Sequence, residues 1–347
     1  MWSTARRPAL LGLPAVLLGC PPEPAPEAPV PCHAGYVCTV AGTGVNGFDG
    51  DGRDARASML YFPTALAVHP DGRLVIVDYN NMRIRTIEPD GTLATLAGSG
   101  LHAWSSPGSD ARETAFENPS DIAFGLDGDY FVMAQHEARV VRVGPDGIAN
   151  VYAGTGDEGY SGDEGPAVDG VLSEAWSVAV GDDGTLYIAD TFNHAVRAVD
   201  PTGTLHTLAE GLLGPQQVRW ADGALWIADA GHHQVVRLDP ATGERRVIAG
   251  TGIAGYDGDG GPATEATLRS PWGIAVIAGE VWIADSGNAA IRRVDAEGGI
   301  DTVAGGREGF EDGAALEASF YFPVGIVGGE EGVYVADYRN GAVRYLR

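Results

Sequence analysis

The chain has 347 residues, 44% of them apolar, enough for a sizeable core and, by length alone, for one to three domains. All 22 basic residues are Arg, so Schiff-base chemistry and a Lys-bearing phosphate loop have no residue to work with. The formal charge of −25 argues against nucleic acid as a partner, where phosphates must be met by clustered cations, and favours a soluble, cation-attracting surface.

In chain order, "MWSTARRPALLGLPAVLLGC" places Arg6 and Arg7 before a short apolar run from Ala9 to Leu18. That is the layout of a secretory signal over residues 1–19, too short to span a bilayer. "LLGC" resembles the bacterial lipobox, which implies cleavage before Cys20 and acylation of that Cys; the alternative is an ordinary signal peptide with Cys20 in the linker. Two or more acyl chains suffice for stable anchoring. Losing the two Arg of the signal takes the charge to −27. "PPEPAPEAPVP", Pro21 to Pro31, is a stiff Pro/Glu spacer, so residues 20–34 read as a lipid-attachment Cys and tether. Cys32 and Cys38 are then the remaining pair in an exported chain, and a disulfide between them is expected. No second Cys or His pair stands at zinc-ligand spacing.

From residue 60 onward the chain repeats itself. Six segments open alike, at Pro63, Pro119, Ala175, Pro215, Pro271 and Pro323, spaced by 56, 56, 40, 56 and 52 residues. Each leads through a Gly-bearing turn into a β-rich run ending in Asp, such as "LVIVD", "LYIAD" and "VWIAD"; only the second unit departs, with "YFVMAQ". A turn bearing Asn or His, a third run, another turn and a "TVAG" run complete the unit. Short β-branched runs between Gly, Pro and Asp clusters are strands joined by hairpins. The expected fold is all-β: a six-bladed β-propeller of four-stranded antiparallel blades over residues 35–347. The last unit stops after its third strand, "GAVRYLR", and "YVCTVAG" at the other end supplies the missing fourth. Residues 37–42 beside 341–346 should therefore close the ring.

The recurring pattern, best matched by residues 172–211 and 268–306, resembles the NHL repeat, and "GYDGDGGPATEATL" resembles the connector common in bacterial NHL proteins. The resemblance implies the propeller fold, on which many functions are carried.

Alternating strand directions put the turns between second and third strands on the same face as the connectors between blades, here called the top. Five long connectors, residues 45–58, 99–115, 155–171, 253–267 and 306–319, hold seventeen acids against four Arg. Loops on a rigid scaffold are where binding usually resides. Four connectors share an aromatic residue and spaced carboxylates, as in "GFDGDGRDA". Asp49, Asp51, Asp163, Asp257 and Asp259 offer oxygen ligands to calcium; alternatively they bond their own loop amides while Phe48, Tyr160, Tyr256 and Phe310 pack between blades. His136, His194, His232 and His233 fall in top turns of blades two to four, where zinc binding competes with turn stabilisation. Trp176, Gln216 and Trp272 hold the second position of the inner strand in blades three to five. Indole faces there suit sugar rings, apolar groups or cations, or else fill gaps between blades. Trp226 and Trp282 read as core.

The inner strands carry only Asp121 and Arg219 as ionisable groups, and no nucleophile elbow is present. The favoured reading is a non-catalytic, monomeric binding or scaffold propeller, exported to the bacterial cell envelope and touching membrane only through its lipid anchor. Its acidic top face would recognise a protein, peptide or glycan, with no cofactor unless calcium. The alternative is a metal-dependent lyase or hydrolase with its site at the top mouth of the channel, since some NHL propellers are zinc-dependent amidating lyases.

Overall fold

The computed structural model describes residues 32–347. The expected signal, the lipidation candidate Cys20 and the spacer to Pro31 lie outside the described residues. Each repeat becomes one antiparallel sheet, and the six sheets are six blades. In blade one, Pro63–Val68 is the inner strand, and Leu74–Asp78, Arg83–Ile87 and Thr92–Ala97 follow outward in order. A one-turn 3-10 segment, Tyr79–Asn81, makes the top hairpin, and Met82 closes it in the left-handed conformation at φ 51°.

Six hydrophobic clusters hold the blades together, each shared by two neighbours. Between blades one and two, for example, Val75, Val77 and Ile84 meet Ile122, Val132 and Val141. This is why second strands such as LVIVD and ALWIAD are buried on both faces: each twisted sheet is covered on two sides. The ring closes as the termini imply. Tyr36–Ala41 pairs antiparallel with Ala342–Leu346, Val37 opposite Leu346 and Ala41 opposite Val343. A disulfide joins Cys32 to Cys38 across the entrance to that closing strand.

The blades differ from the expected four strands in one respect. Arg53–Asp54, Ser109–Asp110, Gly165–Pro166, Gly261–Pro262 and Gly313–Ala314 each add a fifth, two-residue strand to the blade their connector leads into. A fourth strand leaves outward amides and carbonyls unpaired, and a long connector satisfies part of them on its way to the next inner strand. Only blade four, entered by the short run of residues 210–214, keeps four strands.

Candidate binding site at the mouth of the channel

The connector signature is accounted for by an Arg that pattern reading passes over. Arg85, Arg197, Arg292 and Arg344, in the middle of third strands, are fully buried. Each reaches inward to the Asp that ends its second strand: Asp78 at 3.4 Å, Asp190 at 3.2 Å, Asp285 at 3.6 Å and Asp337 at 2.9 Å. Each also reaches outward to a connector carboxylate: Asp51 at 2.9 Å, and Asp163, Asp259 and Asp312 at 2.6 Å. Phe48, Tyr160, Tyr256 and Phe310 lie over the guanidinium groups at 4.8–5.4 Å. The aromatic and the carboxylate of each connector thus fasten it to a buried cation.

Of the calcium candidates, Asp51, Asp163 and Asp259 therefore already face a positive charge. Asp49 accepts the Met59 amide at 3.0 Å and pairs with Arg53 at 3.2 Å, and Asp257 donates its amide to Thr267. Among the described residues no three His, Cys, Asp or Glu side chains converge as metal ligands do. A sequence signal for the buried Arg existed. It is present in the four blades whose connector carries the aromatic and the acid, and is replaced by Val141 and Val236 in blades two and four. Blade two rebuilds the unit from other residues. Glu137 supplies the carboxylate, accepting from the Ser105 amide at 2.9 Å, and Arg139 stacks on Trp104 at 4.5 Å.

Burial pushes the inner carboxyls up, Asp78 and Asp285 to about 6, with Asp190 and Asp337 shifted in the same direction. A carboxyl raised above its unfolded value of roughly 3.9 holds more proton in the folded state between the two values, so stability falls as pH rises through that window. Relief of self-repulsion at net charge −25 acts in the same sense. The thermal midpoint is accordingly expected to be several degrees higher at pH 5 than at pH 7.5 in a buffer series at constant salt. Asp78→Asn should narrow the difference, and a flat profile would show that these carboxyls are ionised throughout.

At the mouth itself, the entry to every inner strand is left-handed. Phe62, Asn118, Glu174, Ser270 and Phe322 have φ between 44° and 62°, and Gly214 completes the set at 59°. Non-glycine residues are held there only when the surroundings over-determine the conformation, and such positions cluster at binding surfaces. Just inside this rim, Trp272 packs against the apolar cluster between blades six and one, and both indoles also reach toward the channel axis. Trp176 stacks on Tyr79 of blade one with centroids 5.7 Å apart, and meets Trp272 of blade five edge to face at 5.3 Å. Trp272 continues to Phe322 at 5.1 Å, and Phe322 to Tyr338 at 6.3 Å. Blades one, three and five are not adjacent, so the aromatic side chains meet across the channel axis.

Polar groups flank this cluster. The Tyr79 hydroxyl donates to Gln135 at 2.6 Å, and Gln135 donates to Glu174. Gln216 Oε1 and Trp272 Nε1 are buried and have no hydrogen-bond partner. Phe192, on the top turn of blade three, is 66% exposed, an apolar side chain that the repeat pattern gave no reason to single out.

The histidines sit outside the aromatic cluster's core. His194 Nδ1 accepts the Gly214 amide at 3.0 Å and His233 Nδ1 accepts the Ser270 amide at 3.1 Å, so each ties its blade to the rim of the next. His136 stands edge-on to Tyr79 at 6.3 Å, and His232 pairs with Asp229 at 2.8 Å. Deeper in the channel, Asp121 and Arg219 use their charges on each other through contacts of 2.8 and 3.2 Å, with Ser177 bonded to the same carboxylate at 2.5 Å. Trp226 is buried in the cluster between blades four and five, and Trp282 packs against the next one.

A family model described as "NHL repeat" matches residues 60–87, and one described as "Teneurin NHL domain" matches residues 216–311, both registering with the blades just described. The chain is a six-bladed β-propeller that carries NHL repeats. A third model, a repeat of unknown function, matches residues 122–263 of this propeller. The chain is 28% identical to Teneurin-m of Drosophila melanogaster over 287 residues, 71% of this chain and 10% of that protein. The first curated relatives it matches are far longer, this chain spanning 10% and 27% of them. Among solved structures, an auxiliary nutrient binding protein of Bacteroides ovatus superposes with a TM-score of 0.69 at 18% identity, covering 89% of this chain and 76% of that one. Virginiamycin B lyase of Staphylococcus aureus superposes at 0.52 with 17% identity over 81% and 78%. Both likenesses are of fold.

Proposed function

We propose that this NHL propeller is a non-catalytic binding module that takes a protein, peptide or glycan ligand at its top mouth. The observation that carries the reading is the aromatic cluster spanning the axis through Tyr79, Trp176, Trp272 and Phe322, with the unpartnered Gln216 Oε1 and Trp272 Nε1 beside it. Aromatic anchors with a few placed polar atoms inside a polar rim are the usual anatomy of a recognition patch. The name of the Bacteroides neighbour as a nutrient binding protein agrees with an exported chain that meets extracytoplasmic ligands. Acylation at Cys20 would hold it at the envelope membrane. The acids of the connectors contribute a negative surround, although Asp51, Asp163, Asp259 and Asp312 are already matched by buried Arg.

Trp176→Ala combined with Trp272→Ala is expected to abolish ligand capture from envelope extract while leaving far-ultraviolet circular dichroism unchanged. Trp226→Ala, which opens a cavity in the blade four and five core, should instead lower stability by ~3–5 kcal/mol and spare capture by the folded fraction. Undiminished capture by the double Trp variant would take the site away from the mouth.

A further inference from the structure

Blade four alone among the six sheets has no fifth strand, and its outer edge corresponds residue for residue to the places where the other blades hold one. In blades one, three and five the amides of Gly52, Glu164 and Gly260 donate to the carbonyls of Leu93, Leu205 and Ile300 at 2.9, 2.8 and 2.9 Å. Those residues face Ile87, Val199 and Val294 on the third strand, and the blade-four pair in the same register is Leu238 with Arg245. The amide and carbonyl of Arg245 therefore point outward. Two residues on, the same blades seat a carboxylate. Asp51 accepts from Thr95 Oγ1 at 2.9 Å, Asp163 from Thr207 Oγ1 at 2.7 Å, and Asp259 from the Thr302 amide at 3.0 Å. The counterpart in blade four is Val247.

Where those blades seat the connector's half-exposed aromatic ring and acid, blade four has an open cleft of about 260 Å3 lined by Leu212, Asp229, His232, Val236, Arg245 and Val247. His232 stands where Asn81, Asn193 and Asn288 stand in blades one, three and five. Its Nδ1 is held by Asp229 at 2.8 Å, which leaves Nε2 free for the cleft. The two outer strands, Gln234–Leu238 and Arg245–Ala249, carry three Arg and no acid in a chain of charge −25, and Arg245 and Arg246 are exposed. Asp239 and Glu244 lie outside them, in the turn that closes the hairpin.

We propose that this edge docks an extended acidic segment of a partner protein that carries an aromatic residue three positions before an Asp. The segment adds the fifth strand through Arg245, lays its ring against Leu212, Val236 and Val247, and sets its carboxylate on the Val247 amide beside His232 and Arg245. Strand addition of this kind draws affinity from main-chain bonds and specificity from side-chain pockets. The spacing is that of Phe48 and Asp51, Tyr160 and Asp163, and Tyr256 and Asp259, which occupy the equivalent clefts of their own blades.

The probe is a fluorescein-labelled peptide copying residues 253–265, IAGYDGDGGPATE, titrated into the full chain. A saturable rise in anisotropy is expected, weakened at least tenfold by N-methylation at the glycine that copies Gly260, by Asn in place of the Asp that copies Asp259, and by Arg245→Pro. Arg245→Pro removes the outward amide together with the guanidinium, and the N-methylated peptide tests the companion bond, from the ligand amide to the Arg245 carbonyl, should that variant fail to fold. Amide hydrogen exchange should slow at Arg245 and Val247 and stay unchanged at Arg246, whose polar groups face the third strand. No rise in anisotropy at millimolar peptide would overturn the proposal. So would equal binding of the N-methylated peptide, or protection gained at Ile300 and Thr302 in place of Arg245 and Val247, which would mean exchange into blade five.

Discussion

A variant lacking residues 35–44 is expected to melt at least ~10 °C below the intact protein or to lose its cooperative transition, given roughly 2–4 °C per kcal/mol for a body of this size. Tyr36–Ala41 is the fourth strand of blade six and lies between two interfaces at once. Val37 belongs to the cluster shared with blade five and Ala41 to the cluster shared with blade one, both fully buried. The burial of those two side chains alone is worth about 2–4 kcal/mol. Further losses follow. The Thr39 amide and hydroxyl hold Asp312 at 2.9 and 3.1 Å, and Asp312 in turn pairs with the buried Arg344. Both Ala342–Leu346 and Gly313–Ala314 would become open edges, inviting association between copies. Deletion of residues 21–31, a Pro/Glu-rich stretch by sequence, is the control and should shift the midpoint by no more than about 2 °C, a change of at most about 1 kcal/mol. Calorimetry of the two deletions decides the matter, and equal midpoints would mean that the ring is held elsewhere.

The fold was legible because its signals are local. Pro-Asp-Gly turns, β-branched runs ending in Asp, and a closing strand displaced to the other terminus can each be read from a few residues, and the Cys32–Cys38 disulfide follows from the same placement. The candidate site was legible in part. Trp176, Gln216 and Trp272 were placed near the mouth by strand position, but that the two indoles touch across the axis depends on channel radius and blade twist, which no repeat pattern encodes. The left-handed rim ran against local expectation, since four of its non-glycine members precede Pro, a context that favours extended backbone. Packing between blades overrides that preference. The buried Arg was missed for another reason. Arg197 is fastened by Asp163 and Asp190, 34 and 7 residues away, and only the topology brings the three together. The joint absence of Arg and connector acid from blades two and four was the one sequence trace of it.

Replacing that Arg should be among the most damaging single substitutions in the body. Arg197→Met is expected to cost about 3–5 kcal/mol, the range for leaving a buried charge without its partner. Asp190 would keep the Ser173 amide at 2.8 Å and Asn193 Nδ2 at 2.9 Å, but would lose the cation that offsets its burial. Asp163→Asn, at the half-exposed outer end of the same unit, should cost no more than ~1 kcal/mol because solvent screens that contact. The double variant Arg197→Met with Asp190→Asn should recover much of the loss, since an uncharged Asn still accepts the Ser173 amide and no unpaired charge remains. Blade four shows what happens when the Arg is lost and the inner Asp is kept: Val236 stands in its place, and Asp229 takes His232 as its neighbour at 2.8 Å. Blade two shows the joint loss, with Ala134 and Val141 at the two positions and the carboxylate moved to Glu137 under Ser105. Chemical denaturation of the single and double variants measures the coupling, and purely additive costs would show that Arg197 and Asp190 contribute by packing rather than by charge.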